Sequence, residues 1–126
     1  MKQKIAYTVQ ILAGVMLLIF GANGFLQFMP MPPMPEAMAG YMGALFQTGF
    51  IFPIVGIVEI IVGLAFVSNK FVALMAVILM PVMINAVLAH LFLDPAGVGG
   101  SAVILLLTII IMFNHKEQYA LMMRAS

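Results

Sequence analysis

An apolar stretch with a single acid at its middle constrains this chain more than any other feature of its sequence. The stretch runs from Gly49 to Ser68, long enough for a helix to cross a bilayer, and the acid is Glu59. A carboxyl group at that depth opposes insertion by about 2.5–3.5 kcal/mol, whereas each surrounding aliphatic residue favours it by roughly 0.3–0.6 kcal/mol. The helix still inserts. Because Leu or Ile would insert better, we interpret Glu59 as a functional residue.

The composition extends this conclusion to the whole chain. Of the 126 residues, 65% are hydrophobic and 7% are charged, so a soluble domain would expose a very large apolar surface. The sequence therefore predicts an integral membrane protein. With five Lys and Arg against four Asp and Glu, the net charge gives no reason to expect a nucleic-acid partner. The absence of cysteine excludes disulfides, thiol relays and thiolate-held metal centres.

Four apolar runs predict four spanning helices in one all-α domain, residues 1–126. The runs cover about residues 5–29, 50–67, 71–93 and 98–113. A short amphipathic helix is expected over about 35–48, since Pro35 suits a first helical turn and Gly49 a helix end. The predicted fold is a membrane four-helix bundle with this amphipathic helix in its first outer loop.

The positive charges predict how the bundle is oriented. All five cations fall on one side of a chain with four spans: Lys2, Lys4, Lys70, Lys116 and Arg124. The opposite loops carry only Glu36 and Asp94. By the positive-inside rule, both termini are cytoplasmic, and we expect a bacterial inner membrane as the location.

Polar side chains in the spans lie at increasing heights between the middle of the membrane and its outer face. At about 1.5 Å per helical residue, the order is Glu59, Asn85, Asn23, His90 and Gln27. Gln47 belongs to the polar stripe of the amphipathic helix above them. We find no comparable polar residues in the inner half. These side chains predict a ligand pocket that opens to the outer leaflet.

Structural interpretations compete with this one. A neutral carboxyl group at Glu59 could tie helices together, for example by donating to the Val77 carbonyl that Pro81 leaves without its helical partner. His90 could be an interfacial hydrogen-bonding residue, pairing with Asp94 or turning toward the loop. Glycines at heptad spacing suit helix packing, either within one chain or between subunits of a homo-oligomer.

No catalytic constellation is apparent, and we expect no reaction catalysed by the chain itself. His115 lies at the membrane face opposite to His90, so the two could not hold one metal or haem, and no other ligand set is present. The sequence also lacks phosphate-binding loops, nucleophile elbows and paired carboxylates. The residues themselves point to no particular cofactor.

Several short motifs together resemble the DoxX family of small four-helix membrane proteins. They are Gly21-Ala22-Asn23-Gly24-Phe25, Met31-Pro32-Pro33-Met34-Pro35, Thr48-Gly49-Phe50, Glu59 with Gly63-Leu64, and Pro81-Val82 through Asn85 to His90-Leu91-Phe92-Leu93. The resemblance covers about residues 20–97. It implies the four-helix architecture and a link to quinones, oxidative stress or membrane oxidoreductase complexes. Relatives with thiol redox chemistry need cysteines, which this chain lacks.

The leading hypothesis is an accessory membrane subunit that binds a small amphipathic molecule, a quinone or a lipid. Glu59 and Asn85 would hydrogen-bond the polar head, and Asn23 and His90 would line the entrance. One alternative is a helical adaptor that assembles a larger membrane complex, with the polar residues serving internal packing only. A weaker alternative is proton-coupled transport through Glu59, which would require polar residues in the inner half.

Overall fold

Helices form nearly the whole of the structure, a computed structural model that describes residues 2–26 and 33–124. They are α1 (Lys2–Leu26), α2 (Glu36–Gln47), α3 (Ile51–Ser68), α4 (Val72–Leu93), α5 (Gly99–Asn114) and α6 (Lys116–Met122), with a 3-10 turn at Pro95–Gly97 between α4 and α5. No strand occurs in these ranges. The all-α fold class is therefore confirmed, including the short helix before α3.

The four long helices form a ring in the order α1, α3, α4, α5. Helices α1 and α4 each pack along both α3 and α5, while α2 lies against α3 and α4. The ring has two ends, which we name by their short helices. The α2 end carries α2 and the 3-10 turn, and the α6 end carries α6, the start of α1 and the α3–α4 turn.

Glycines set the close approach of α1 to α3. A Cβ atom on Gly63 would lie 2.9 Å from the carbonyl oxygen of Gly14, and one on Gly14 would lie 3.0 Å from the carbonyl oxygen of Gly63. Seven residues further along α1, a Cβ on Gly21 would lie 3.1 Å from the carbonyl oxygen of Gly56. The two helices run antiparallel with their backbones in contact, so these glycines serve packing inside one chain.

The hydrophobic core is concentrated toward the α6 end. Its buried members are Ala13, Leu17, Val62, Phe66, Val72, Ala76, Leu79, Met83, Ile104 and Ile111. Those closest to the α2 end, Leu17, Met83 and Ile104, lie within about one turn of the middle of their helices. Beyond them, the described parts of the long helices contain no buried hydrophobic side chain. Among the described side chains of the long helices, burial is therefore concentrated in the α6 half.

Three helices are long and apolar enough to cross a membrane. They are α1, α3 and α4, with spans over residues 3–23, 51–68 and 72–93. The fourth, α5, has 16 residues and continues into α6 after a bend of 73°. Counting α5 and α6 as one broken span gives four. The sequence did not predict α6, whose seven residues are mixed in polarity and follow the apolar run.

The α3–α4 connection uses two residues in left-handed backbone conformations. Asn69 has φ 59° and Phe71 has φ 56°. Asn tolerates this region, but a bulky side chain such as Phe adopts it rarely. The pair reverses the chain over three residues, so α3 and α4 are antiparallel neighbours, as the short connection predicted.

Candidate functional site

Glu59 lies in the middle of α3, on the stripe that also contains Gly56 and Gly63. That stripe faces α1, and the Cβ of Glu59 lies 3.2 Å from where a Cβ on Gly21 would be. The side chain is half-buried. Among the hydrogen bonds between described residues, none involves its carboxyl group. An acid at mid-membrane depth therefore retains its full hydrogen-bonding capacity at a helix–helix interface.

The hydrogen bond suggested between Glu59 and the Val77 carbonyl is not formed, and that interpretation is wrong. Val77 and Pro81 lie on an exposed face of α4, whereas Glu59 faces α1. Pro81 is accommodated within a continuous α4. The Glu59 side chain therefore does not join α3 to α4 through this hydrogen bond.

Asn85 is joined to helix α2. Its Nδ2 donates to the hydroxyl of Tyr41 over 3.1 Å, and the side chain lies on an exposed face of α4. At the same end, the rings of Phe46 and Phe52 lie 6.3 Å apart, and Met38 is buried. Helix α2 is therefore attached across α3 and α4 as a cover over the α2 end of the bundle.

His90 turns toward the loop after α4. A Cβ on Gly97 would lie 3.1 Å from His90 Nδ1 and 2.8 Å from Asp94 Oδ2, so both side chains border this glycine. The Nδ1 atom is buried and has no hydrogen-bond partner in the part of the chain that the structure describes. The suggested pairing of His90 with Asp94 is not formed through this atom.

The remaining predicted site residues are dispersed. Asn23 is half-buried near the end of α1 and takes part in an interaction. Gln47 is exposed at the last residue of α2. Gln27 lies outside the described residues. No hydrogen bond joins any two of Glu59, Asn85, His90 and Gln47, so the structure does not assemble them into one hydrogen-bonded cluster.

The prediction that the inner half lacks polar residues is wrong. Gln10 is buried, and its Nε2 donates to the carbonyl of Phe66 and to Asn69 Oδ1, both over 2.9 Å. Thr108 is buried and donates to the carbonyl of Ile104. Gln10 was overlooked because it follows Lys2 and Lys4 closely and reads as part of a polar flank. Its seven-residue distance to Leu17, on one helical face, was the available signal.

These inner polar groups are engaged within the protein. The Gln10 bonds join α1 to the α3–α4 turn, and the Thr108 bond is local to α5. They therefore stabilise the α6 end and form no continuous polar path to Glu59. Within the described ranges, no group of three or more His, Asp or Glu residues could hold a metal ion.

Comparison with known proteins adds no relative. No protein family matches the chain, and neither the curated proteins nor the solved structures contain a significant match.

Proposed function

We propose that this membrane protein binds a small amphipathic molecule, a quinone or a lipid, in the leaflet next to its α2 end, with Glu59 contacting the polar head. The observation that carries the proposal is the half-buried carboxyl group of Glu59, which has no hydrogen bond among the described residues. Polar groups without partners are expensive in hydrocarbon, so a hydrogen-bonding ligand would stabilise this arrangement.

The packing of the bundle supports the same location. The buried hydrophobic cluster ends near the middle of the helices, at about the depth of Glu59. Beyond it, Met38 on α2 is the one buried hydrophobic side chain among the described residues. Helix α2 covers this half through the Tyr41–Asn85 hydrogen bond. Ligand sites between helices are commonly apolar with a few polar groups that fix orientation.

The proposed setting follows the charge distribution. The described cations of the chain lie at the α6 end, which we place in the cytoplasm of a bacterial cell by the positive-inside rule. The ligand would then enter from the outer leaflet. An accessory role in a larger membrane complex, with the chemistry carried by partner subunits, is part of this proposal and rests on the motif resemblance alone.

Recovery of bound small molecules tests the proposal. Wild-type protein and the variants Glu59→Gln, Glu59→Leu and Glu117→Gln would be purified in a lipid-preserving polymer, and their quinones and lipids quantified. We expect Glu59→Leu to lose about tenfold of the specific ligand, because one hydrogen bond to its head is removed. Glu59→Gln should retain part of it. Glu117→Gln is the matched control at the exposed α6 end and should retain all of it.

Equal recovery from all four proteins would reject the Glu59 site. A helical adaptor would then be the better description, and capture of the same partner proteins by wild type and Glu59→Leu would support it.

A further inference from the structure

A groove at the α6 end lies between the α3–α4 turn and α6, on the opposite side of the membrane from the proposed ligand site. Its volume is about 520 Å³. Phe71, Val72, Leu74 and Met122 contribute apolar walls, and Asn69 and Gln118 contribute polar ones. Residues 72–74 in the first turn of α4 line it, so the groove lies where a spanning helix begins.

Two sets of hydrogen bonds hold the walls of this groove in place. The Tyr119 hydroxyl donates to the carbonyl oxygen of Ala73 over 2.6 Å, which fastens α6 to the start of α4. Gln10 donates to Asn69 Oδ1 and fixes the turn to α1. The groove therefore lies between two elements, α6 and the α3–α4 turn, that hydrogen bonds attach to the rest of the bundle.

The conformation of Phe71 exposes an aromatic ring beside the groove. Its φ of 56° is rare for a bulky residue, and its side chain is 74% exposed. Strained backbone of this kind persists where the surrounding structure enforces it, and it often marks a binding region. An exposed Phe ring at the end of a spanning helix offers a contact for a hydrocarbon chain.

Two lysines are sequence neighbours of residues that line the groove. Lys70 lies between the wall residues Asn69 and Phe71, and Lys116 directly follows the wall residue His115. Both lysines are exposed, and Glu117 is the single acid in α6. Basic pockets between helices at the cytoplasmic membrane surface are suited to anionic lipid head groups.

We propose that this groove binds one anionic phospholipid, with an acyl chain against Phe71 and Leu74 and the phosphate near Lys70 and Lys116. The apolar lining residues and the two adjacent lysines each match one part of such a molecule. This site is separate from the one proposed at Glu59, and either can fail without the other.

Native mass spectrometry of the purified protein tests the proposal. Protein would be exchanged into micelles containing phosphatidylglycerol or phosphatidylcholine with identical acyl chains. We expect wild type to retain phosphatidylglycerol preferentially. The double variant Lys70→Gln/Lys116→Gln should lose that preference, by about fivefold per lysine. Lys4→Gln, which removes a cation from the same end but not from the groove border, should leave the preference unchanged.

A second variant tests whether lipid binding depends on the shape of the groove as well as on the positive charge near it. Gln118→Trp keeps every cation but places a large side chain in the groove, and we expect it to reduce retention of phosphatidylglycerol as well. The proposal is overturned if wild type retains both lipids equally. It is also overturned if Lys4→Gln weakens retention as much as either lysine of the groove, or if Gln118→Trp has no effect.

Discussion

Polar side chains at the α6 end differ in their hydrogen bonding from the acid in the middle of the bundle. At the α6 end, Gln10 and Tyr119 each bind a backbone carbonyl of another helix, and both act as structural groups. In the middle, Glu59 has no such bond in the described part of the chain. Sequence reasoning identified Glu59 from its depth alone. It could not assign its neighbours, because the direction of a helical side chain depends on which helices pack together.

Gln10 provides a test of the structural polar groups. Replacing it with Leu removes the donor for the Phe66 carbonyl and for Asn69 Oδ1. We expect Gln10→Leu to lower the free energy of unfolding by about 1 kcal/mol, the usual scale for such bonds in membranes. Thr8→Val removes only an exposed bond to the Lys4 carbonyl and should change stability by less than about 0.5 kcal/mol. Unfolding in mixed micelles measures both, and equal effects would refute the assignment.

Tyr119 predicts a pH dependence at the α6 end. Burial raises the pKa of its hydroxyl above the ordinary value of 10.0. Because the protonated form donates to the Ala73 carbonyl, its contribution to stability is fully present below about pH 10 and is lost as pH rises through the raised pKa. The near-ultraviolet absorbance of tyrosinate, compared between wild type and Tyr119→Phe, reports this titration. A Tyr119 that ionises at or below the ordinary value would contradict the bond.

At the scale of the elements, the apolar runs predicted the helices well. The observed ends of α3, α4 and α5 lie within about one residue of the predicted spans, because hydrophobic length is a direct physical requirement of the bilayer. Helix α6 and the bend before it could not be predicted in the same way. The bent α6 is attached to the start of α4 by the tertiary hydrogen bond between Tyr119 and Ala73, which no local pattern encodes.

The α1–α3 contact depends on glycines with no room for a side chain. Gly63→Ala would bring a Cβ to 2.9 Å from the Gly14 carbonyl oxygen, so the helices must separate. We expect a loss of about 1–3 kcal/mol in the free energy of unfolding. The control is Gly43→Ala in α2, where no atom lies within 4 Å and the higher helix propensity of Ala should stabilise by up to about 1 kcal/mol. Similar changes in both variants would show that the helices are not in close contact.

Removing the hydrogen bond between Tyr41 of α2 and Asn85 of α4 from either side distinguishes two roles for Asn85. If Asn85 only fastens α2, Tyr41→Phe and Asn85→Leu should reduce ligand recovery equally, because each removes the same hydrogen bond. If Asn85 also contacts the ligand, as the sequence suggested, Asn85→Leu should be the more severe of the two. We expect the latter, since one bond to Tyr41 leaves part of the amide capacity unused. Full ligand recovery from both variants would show that the attachment of α2 to α4 is not needed for binding.

For the molecule as a whole, the proposed ligand site rests on a difference between the α6 half and the α2 half of the bundle. The half at the α6 end has a dense core, interhelical hydrogen bonds and the bordering cations. The half at the α2 end has a helical cover, and within the described ranges its long helices have no buried hydrophobic side chain beyond Leu17, Met83 and Ile104. The sequence predicted polar residues in the outer half only, which is wrong because Gln10 and Thr108 are buried in the α6 half. It did not predict that Asn85 would bind Tyr41 and that Glu59 would face α1, because both depend on the ring order of the helices.

Photo-crosslinking tests the central claim most directly. A quinone and a phospholipid, each carrying a photoactivatable group near the polar head, would be added to membranes containing wild type or Glu59→Leu, and the labelled residues mapped. We predict that at least one probe labels α1 and α3 around Gly21, Gly56 and Glu59, and that this labelling disappears in Glu59→Leu. Labelling spread evenly over the lipid-facing surfaces and unchanged by the substitution would contradict a ligand site at Glu59.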